Sequence, residues 1–290
     1  MSVFWMKLLA VVSMVIDHIG VFLFPRFVSH DVYLIFRSIG RFAFPVYCFL
    51  IVNGSQKTGD VKRYLTRLIA FAVISQIPFV MTFDANPFPA GGGLHFAPAY
   101  RGFLCAAMIF AACAAWFAAV RPGTSVLWVL LALGAAVCRV DYDGVRLLSG
   151  ELNVFYTLAL GLACVCLLDA ALKPERDVVR LLLQALGLFA AFFLIRENAD
   201  YGAMGVVLIV SLWLTRGSRL SQAAVLLIWC GIKYYKADGD YRYFLCAALS
   251  LLPVLLYNGR LGRPMRSAFY LVYPIHLAVL GALTVYYTLA

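Results

Sequence analysis

Long apolar segments recur along the whole chain and are separated by short polar breaks. A helix that crosses a membrane needs about 20 consecutive, mostly apolar residues. Eleven segments approach this length, but the eighth, ninth and tenth are short, so ten spans is the alternative count. The predicted segments are residues 3–24, 32–51, 61–83, 102–120, 125–140, 152–172, 178–195, 201–215, 220–235, 243–257 and 268–289. The pattern predicts an all-α polytopic membrane protein, a single domain over residues 1–290 with about 10–11 transmembrane helices.

The composition excludes a water-soluble domain. Hydrophobic residues make up 64% of the chain and charged residues 13%, whereas soluble domains have about 45–50% apolar and about 25% charged residues. The eight cysteines lie within apolar segments and form no C-x-x-C pair, so we interpret them as small hydrophobic residues. The four histidines have no metal-ligand spacing, and no metal site is predicted.

The formal net charge of +10 reflects membrane topology. With eleven spans, one side of the membrane collects fourteen lysines and arginines and the other side eight. Because cytoplasmic loops carry the excess of basic residues, the first side is predicted to be cytoplasmic and to include the N-terminus. The chain is therefore expected in the cytoplasmic (inner) membrane, with membrane lipids and no nucleic acid as partners. The one long loop, residues 84–101, is predicted to face outward.

Four ionisable side chains lie within the first two predicted spans: Asp17 and His18 in the outer third of the first, and Arg37 and Arg41 in the outer part of the second. Charged groups at this depth are costly and require a structural or functional reason. Two like charges one helical turn apart repel, so the arginines need an anion, for which Asp17 is the nearest candidate. The group is either an ion pair that joins two helices, or a site in which one arginine is left to hold a substrate carboxylate, phosphate or thioester oxygen.

Two histidines lie within predicted spans. His18 directly follows Asp17, so the two side chains point about 100° apart on a helix, and His18 is expected to take its orienting partner from another helix. His276 follows Pro274, which displaces the carbonyl group of Tyr270. His276 therefore either binds a freed carbonyl group at a kink or lines a polar site.

Further polar residues predict two opposed surfaces. Gln76, Asn153, Asp200, Tyr201 and Lys233 lie in the outer halves of their segments, which predicts a cavity open to the extracytoplasmic side. Two basic clusters are predicted on the cytoplasmic side, consisting of Lys57, Lys62, Arg63 and Arg67, and of Arg260, Arg263 and Arg266. Most of this charge is typical of membrane topology and lipid contact. The weaker alternative is that Arg63, Arg67, Arg260 and Arg263 bind the phosphates of a nucleotide-bearing donor.

Eight short motifs lie along the chain, from its first predicted span to its last. They are IDHIG (16–20), SIGRFAFP (38–45), KRYL (62–65), ISQIPF (74–79), LNV (152–154), DYG (200–202), LYNG (256–259) and YPIHL (273–277). Together they resemble the TraX family of integral membrane proteins, nearly from end to end. The 84–101 loop and the alanine- and cysteine-rich fourth and fifth segments do not match the family pattern.

The resemblance implies an acyl-CoA-dependent N- or O-acetyltransferase of the broader transmembrane acyltransferase group. The family takes its name from the N-terminal acetylation of a conjugative pilin. The resemblance further implies that an acetyl group is transferred from cytoplasmic acetyl-CoA to an acceptor at the extracytoplasmic side. This acceptor is either a pilin N-terminus or a cell-surface molecule. The acetyl-CoA donor is inferred from this resemblance alone.

The residues fit such chemistry in the following roles. His18 acts as general base, or carries a covalent acetyl-imidazole as the variant. Arg41 or Arg37 stabilises the oxyanion, while Asp17 fixes the other arginine. The acceptor is expected to contact Arg37, Gln76, Asn153, Asp200, Tyr201 and His276. The alternatives are a transporter or exporter, disfavoured because no inverted repeat is found, and a non-enzymatic assembly factor for a pilus or another surface structure.

Overall fold

The described part of the chain is almost entirely helical in the computed structural model. The model describes residues 1–24, 26–83, 141–142, 145–146, 152–174, 177–195, 199–237, 241–263 and 266–289. The helices are α1 Val3–Leu23, α2 His30–Gly40, α3 Ala43–Lys57, α4 Val61–Phe83, α5 Val154–Ala171, α6 Val178–Ile195, α7 Gly202–Leu214, α8 Arg219–Cys230, α9 Tyr241–Ala248, α10 Leu251–Leu255 and α11 Arg266–Leu289. Two-residue strands, β1 Asp141–Tyr142 and β2 Val145–Arg146, pair in antiparallel fashion.

Three of the described segments are long and apolar enough to cross a membrane. They are Val3–Leu23, His30–Lys57 and Val154–Ala171, and shorter apolar helices accompany them at Gly202–Leu214, Tyr241–Leu255 and Ala268–Thr284. The predicted fold class, an all-α polytopic membrane protein, is therefore confirmed. The number of spans and the side of the N-terminus stay predictions, and the fourth and fifth predicted spans and the 84–101 loop lie outside the described residues.

The second predicted span, 32–51, lies within the candidate membrane segment His30–Lys57, whose helix is interrupted. Its helix breaks between α2 and α3, where the Arg41 backbone N–H donates to the Ser38 carbonyl group at 3.1 Å and that of Phe42 to the Ile39 carbonyl group at 3.3 Å. These bonds tighten the last turn of α2 and release the carbonyl group of Arg37. The Arg41 Nε donates to that carbonyl group at 3.0 Å. The arginine pair therefore lies at the end of α2, where backbone carbonyl groups without a partner in the helix need hydrogen-bond donors.

Two later predicted spans also differ from single α-helices. The ninth, 220–235, consists of α8 and a π-helical segment, Gly231–Ala237. The tenth, 243–257, consists of α9 and α10, which are separated by a turn at residues 249–250. Each of these segments is short for a membrane span, and the break or π-helical segment changes the direction in which its side chains point.

The fold is centred on α5, which is buried on nearly all sides between α3, α4, α6 and α7. A helix that is apolar all round is suited to this central place. Gly161 permits close packing here, because a Cβ atom at this position would overlap the side chain of Ile209 on α7. Outside α5, helix α11 packs along α4, and α1 packs along α2 and α3.

The bundle has a basic end, which we define by Lys57, Lys62, Arg63, Arg67, Arg260 and Arg263. The Val3 backbone N–H donates to the Arg260 carbonyl group at 3.0 Å, so α1 begins beside the loop that leads to α11. The Lys57 Nζ donates to the Tyr257 hydroxyl at 2.7 Å and to the Gly259 carbonyl group at 2.8 Å. Because only three residues separate the end of α3 from the start of α4, the first arginines of α4 lie at the same end. Asp17 and His18 of α1, and Arg37 and Arg41 at the end of α2, lie further along the bundle.

Candidate active site

His18 and His276 form a direct contact between α1 and α11. The His18 Nδ1 lies 2.6 Å from the His276 Nε2, and the two rings are nearly parallel, with their centroids 4.9 Å apart. The His276 Nδ1 in turn lies 2.6 Å from the carbonyl oxygen of Val272, one turn earlier on α11. The expectation that His18 takes its partner from another helix is confirmed, and the carbonyl group that His276 binds is that of Val272.

This chain of contacts fixes which nitrogen carries each proton when both rings are neutral. A carbonyl oxygen only accepts hydrogen bonds, so the His276 Nδ1 carries the proton and donates to Val272. The His276 Nε2 then holds a lone pair and accepts a hydrogen bond from the His18 Nδ1. The remaining nitrogen, the His18 Nε2, is left with its lone pair. A buried imidazole with an oriented lone pair is the form that a general base requires.

Aromatic rings surround the histidine pair. The ring of Phe83 meets His18 edge-on, with centroids 4.9 Å apart, and Tyr273 lies 6.1 Å from His18 and 5.6 Å from His276 by the same measure. His18 is buried. These rings shield the pair from solvent and lower the local dielectric constant, which strengthens its electrostatic interactions.

Asp17 accepts hydrogen bonds from both arginines. Its carboxylate oxygens lie 2.8 Å and 2.9 Å from Arg37 Nη1, and 3.4 Å and 3.3 Å from Arg41 Nη2. The side chains are 10% exposed for Asp17, 21% for Arg37 and 11% for Arg41. Two guanidinium groups and one carboxylate leave one net positive charge in a largely buried place. Asp17 is therefore shared between the arginines, with the shorter contacts to Arg37.

Two small residues bring α1 and α2 close enough for this ion-pair triad. The Ser13 hydroxyl donates to the Ile39 carbonyl group at 2.6 Å, which ties α1 to the end of α2. Gly40 lies directly against Asp17, and a Cβ atom at this position would overlap the Asp17 side chain. The glycine of the SIGRFAFP motif is therefore required, because the Asp17 side chain lies too close to α2 for a Cβ atom at position 40.

Tyr201 extends the triad towards α7. Its hydroxyl lies 3.5 Å from the Arg41 Nη1, and its ring stacks on Phe44 with centroids 3.6 Å apart. The backbone of Tyr201 is left-handed, with φ of 63°, which costs a bulky residue of order 1–3 kcal/mol and is often associated with functional sites. Asp200, next to it, is exposed, and its carbonyl group accepts a hydrogen bond from Thr157 Oγ1 at 2.6 Å.

Gln76 and Asn153 are buried and bonded to each other. The Asn153 Nδ2 donates to the Gln76 Oε1 at 2.8 Å and to the Ala72 carbonyl group at 2.7 Å. The Asn153 Oδ1 accepts from the Phe155 backbone N–H at 3.1 Å, which caps the start of α5. These amides connect α4 to α5, and substrate contact by either residue stays a prediction.

Two tyrosines beside Arg41 were missed at the sequence level. The Arg41 guanidinium group lies 5.4 Å from the ring centroid of Tyr243, a cation–π distance. Tyr234 is fully buried, with its ring centroid 6.5 Å from that of Tyr243. Tyr234 lies in the π-helical segment, a type of irregularity that is frequent at functional sites, and no pattern in the sequence marks it.

The arginines predicted to hold a donor are exposed at the basic end. Arg63 pairs with Asp60 at 3.0 Å, with its side chain 77% exposed. Arg67 lies 5.8 Å from the ring centroid of Tyr64, and Arg260 and Arg263 are exposed before α11.

A cavity of about 690 Å³ opens at the same end. Among the described residues its lining includes Lys62, Lys173 and Arg216, together with Asp169 and Asp177, but none of the four predicted arginines. Positive charge for a phosphate-bearing ligand is thus available at this end from residues other than those predicted.

Comparisons with known proteins agree with the motif pattern. The chain is 25% identical over 291 residues to the "Probable fimbrial assembly protein FimC, serogroup H1" of Dichelobacter nodosus, covering 96% of this chain and 94% of that protein. It is 42% identical over 72 residues to an uncharacterised protein of Rickettsia prowazekii, a quarter of each chain. No solved structure matches significantly. The family model described as TraX protein matches residues 3–148 and 127–284. The chain therefore belongs to the TraX family.

Proposed function

We propose that this protein is a membrane-embedded acyltransferase in which His18 is the general base. The observation that carries the proposal is the hydrogen-bond chain from the Val272 carbonyl group through His276 to His18. It leaves the His18 Nε2 with a lone pair, in a buried position next in sequence to the ion-pair triad. A histidine with only a structural role needs no second histidine to set its tautomer.

The reaction is the transfer of an acetyl group from acetyl-CoA to an amine or hydroxyl of the acceptor. His18 Nε2 takes the proton of the acceptor as the acceptor atom attacks the thioester carbonyl carbon. The carbon–sulfur bond then breaks, and the leaving thiolate receives the proton from His18. His276 acts as a positioning residue, because its Nε2 accepts from the protonated Nδ1 of His18 in both states.

Arg41 suits the oxyanion that forms during this reaction. The triad carries one net positive charge, and Arg41 makes the longer, weaker contacts to Asp17. A fixed cation in a site with little water stabilises developing negative charge strongly. Arg37, with the shorter contacts, holds Asp17 in place. Arg41 is therefore the catalytic arginine of the proposal, and Tyr201 and Tyr243 keep its guanidinium group in position.

The two substrates are proposed to approach from opposite ends of the bundle. The basic end supplies lysines and arginines for the phosphates of acetyl-CoA, from Arg63, Arg67, Arg260 and Arg263 or from the lining of the larger cavity. The acceptor reaches His18 from the other side of the membrane, past Asp200 and Tyr201. This arrangement separates a cytoplasmic donor from an extracytoplasmic acceptor.

The proposed acceptor is a pilin N-terminus or another cell-surface molecule. The support is the TraX family itself and the relative named as a probable fimbrial assembly protein. The same name also favours a second candidate function, a non-enzymatic role in the assembly of a surface appendage. The two are separated by whether the purified protein transfers an acyl group.

The test is acetyl transfer by the purified protein in liposomes, with labelled acetyl-CoA as donor and a peptide bearing a free N-terminal amine as acceptor. His18→Ala should lower turnover by about 10²–10⁴, which is the usual contribution of a positioned proton-transfer group. His30→Ala is the matched control, because His30 is exposed at the start of α2. It should retain full turnover.

Near-full turnover in His18→Ala would exclude His18 as the base. No acetyl transfer to either peptide amines or hydroxyl acceptors by the wild-type protein, together with a defect in appendage assembly when it is absent, would favour the assembly role instead. Saturable transport of a solute without acyl transfer would favour a transporter.

A further inference from the structure

A small cavity between the helices lies between the basic end and the histidine pair. Its volume is about 70 Å³, it is partly open, and its lining residues come from α1, α3, α4, α5 and α11. Lys7, Tyr64 and Phe269 line it towards the basic end, and Met14, Val154 and Tyr273 line it at the other end. The cavity therefore runs along the bundle, approximately parallel to α1.

The inner end of this cavity lies one helical turn below the two histidines. Met14 precedes His18 by four residues on α1, which is about 6 Å along the helix axis at a rise of about 1.5 Å per residue. Tyr273 precedes His276 by three residues, and its ring centroid lies 5.6 Å from that of His276. The inner end of the cavity is thus about one helical turn from the site at which His18 acts.

The lining suits a thin, uncharged group. Apart from Lys7 and the tyrosine hydroxyls, the side chains that line it are aliphatic or aromatic. For scale, an apolar cavity of about 150 Å³ holds a benzene molecule. A cavity about half that size has room for an acyl group of two or three carbons, and a longer chain would have to displace its walls or extend through its open side.

We propose that this cavity receives the acyl end of the donor thioester and limits the acyl chain to two or three carbons. The inference rests on the proposed function and adds to it the cavity that holds the acyl group. The charged part of the donor stays at the basic end. Lys7, half-buried beside the ring of Phe269 at 5.6 Å, lies where the donor enters.

The test is a change in chain-length preference. Leu158 lines the cavity and is 4% exposed, so Leu158→Ala should enlarge it. A pocket discriminates one methylene group by about 10–200-fold. We therefore expect the ratio of kcat/KM for butanoyl-CoA to that for acetyl-CoA to rise at least about tenfold in Leu158→Ala.

Leu160→Ala is the matched control, because Leu160 lies two residues away on α5, is fully buried and does not line the cavity. It should leave the ratio unchanged. Leu158→Val removes less volume, and should shift the ratio in the same direction if Leu158→Ala does not fold.

The outcomes separate the inference from the proposed function. Acetyl transfer by the wild-type protein, with an unchanged ratio in the folded Leu158 variants, would overturn the cavity assignment and leave His18 as the base. Equal use of acetyl and octanoyl donors by the wild-type protein would also overturn it. No transfer from any acyl-CoA would overturn both.

Discussion

The arginines at the two ends of the bundle differ in what surrounds them. Arg41 is 11% exposed and lies between Asp17, Tyr201 and the ring of Tyr243. Arg63 is 77% exposed and pairs with Asp60, three residues earlier on the chain. Arg41 therefore has partners from three other parts of the fold, whereas Arg63 pairs with a residue close in sequence and is otherwise exposed to solvent.

This difference in burial is also a difference in energy. An exposed pair contributes about 0–1 kcal/mol, because water screens it. A buried group carries a large desolvation cost and persists only where the surrounding residues compensate it. The shared Asp17 carboxylate, the Arg37 carbonyl group released at the helix break and the Tyr201 hydroxyl compensate this cost for Arg41.

The largest stability effect is expected from removing the shared carboxylate. Asp17→Asn leaves two buried guanidinium groups without their anion, and breaking a buried pair in this way costs about 3–5 kcal/mol. We expect a large fall in thermal stability in detergent, measured by size-exclusion chromatography after heating, and a loss of turnover.

Two variants check the cause of that effect. Asp60→Asn removes the exposed counterpart of the same chemistry and should change stability by less than about 1 kcal/mol. The double variant Asp17→Asn with Arg37→Gln restores one net positive charge and should recover much of the stability. If Asp17→Asn is as stable as the wild-type protein, the triad is not a buried ion-pair system.

A smaller loss is expected from Gly40→Ala. The added methyl group would overlap the side chain of Asp17, and overpacking of this kind costs about 1–3 kcal/mol. Because α1 and α2 must move apart, turnover should fall together with the melting temperature. Gly217→Ala is the matched control, since a Cβ atom there meets nothing within 4 Å. Equal effects of the two substitutions would show that close approach at Gly40 is unimportant.

Much of the helical architecture could be predicted from the sequence, because apolar length alone identifies a membrane helix. Breaks within those helices could not. The end of α2 at Gly40 depends on hydrogen bonds of Ser38 and Arg41 that no hydrophobic pattern encodes. No hydrophobic pattern indicates the π-helical segment that places Tyr234 in the core either.

The polar cluster of Asp17, His18, Arg37, Arg41 and His276 was predictable in its members but only partly in its contacts. Asp17, His18 and the arginines are conspicuous because charge is costly within a span. The sharing of Asp17 by both arginines, and the pairing of His18 with a residue 258 positions away, depend on how α1, α2 and α11 pack. Helix packing of this kind is a tertiary property.

The most direct test of the central claim, that His276 orients His18 as the base, is the turnover of two His276 variants. A glutamine can donate from its amide nitrogen to Val272 and accept from the His18 Nδ1 with its oxygen, whereas a leucine can do neither. Both variants are to be assayed for acetyl transfer across a pH series, after a check that they remain folded. We predict that His276→Gln keeps turnover within about tenfold of the wild-type protein and that His276→Leu loses about 10²-fold or more. Equal turnover in the two folded variants would contradict the account.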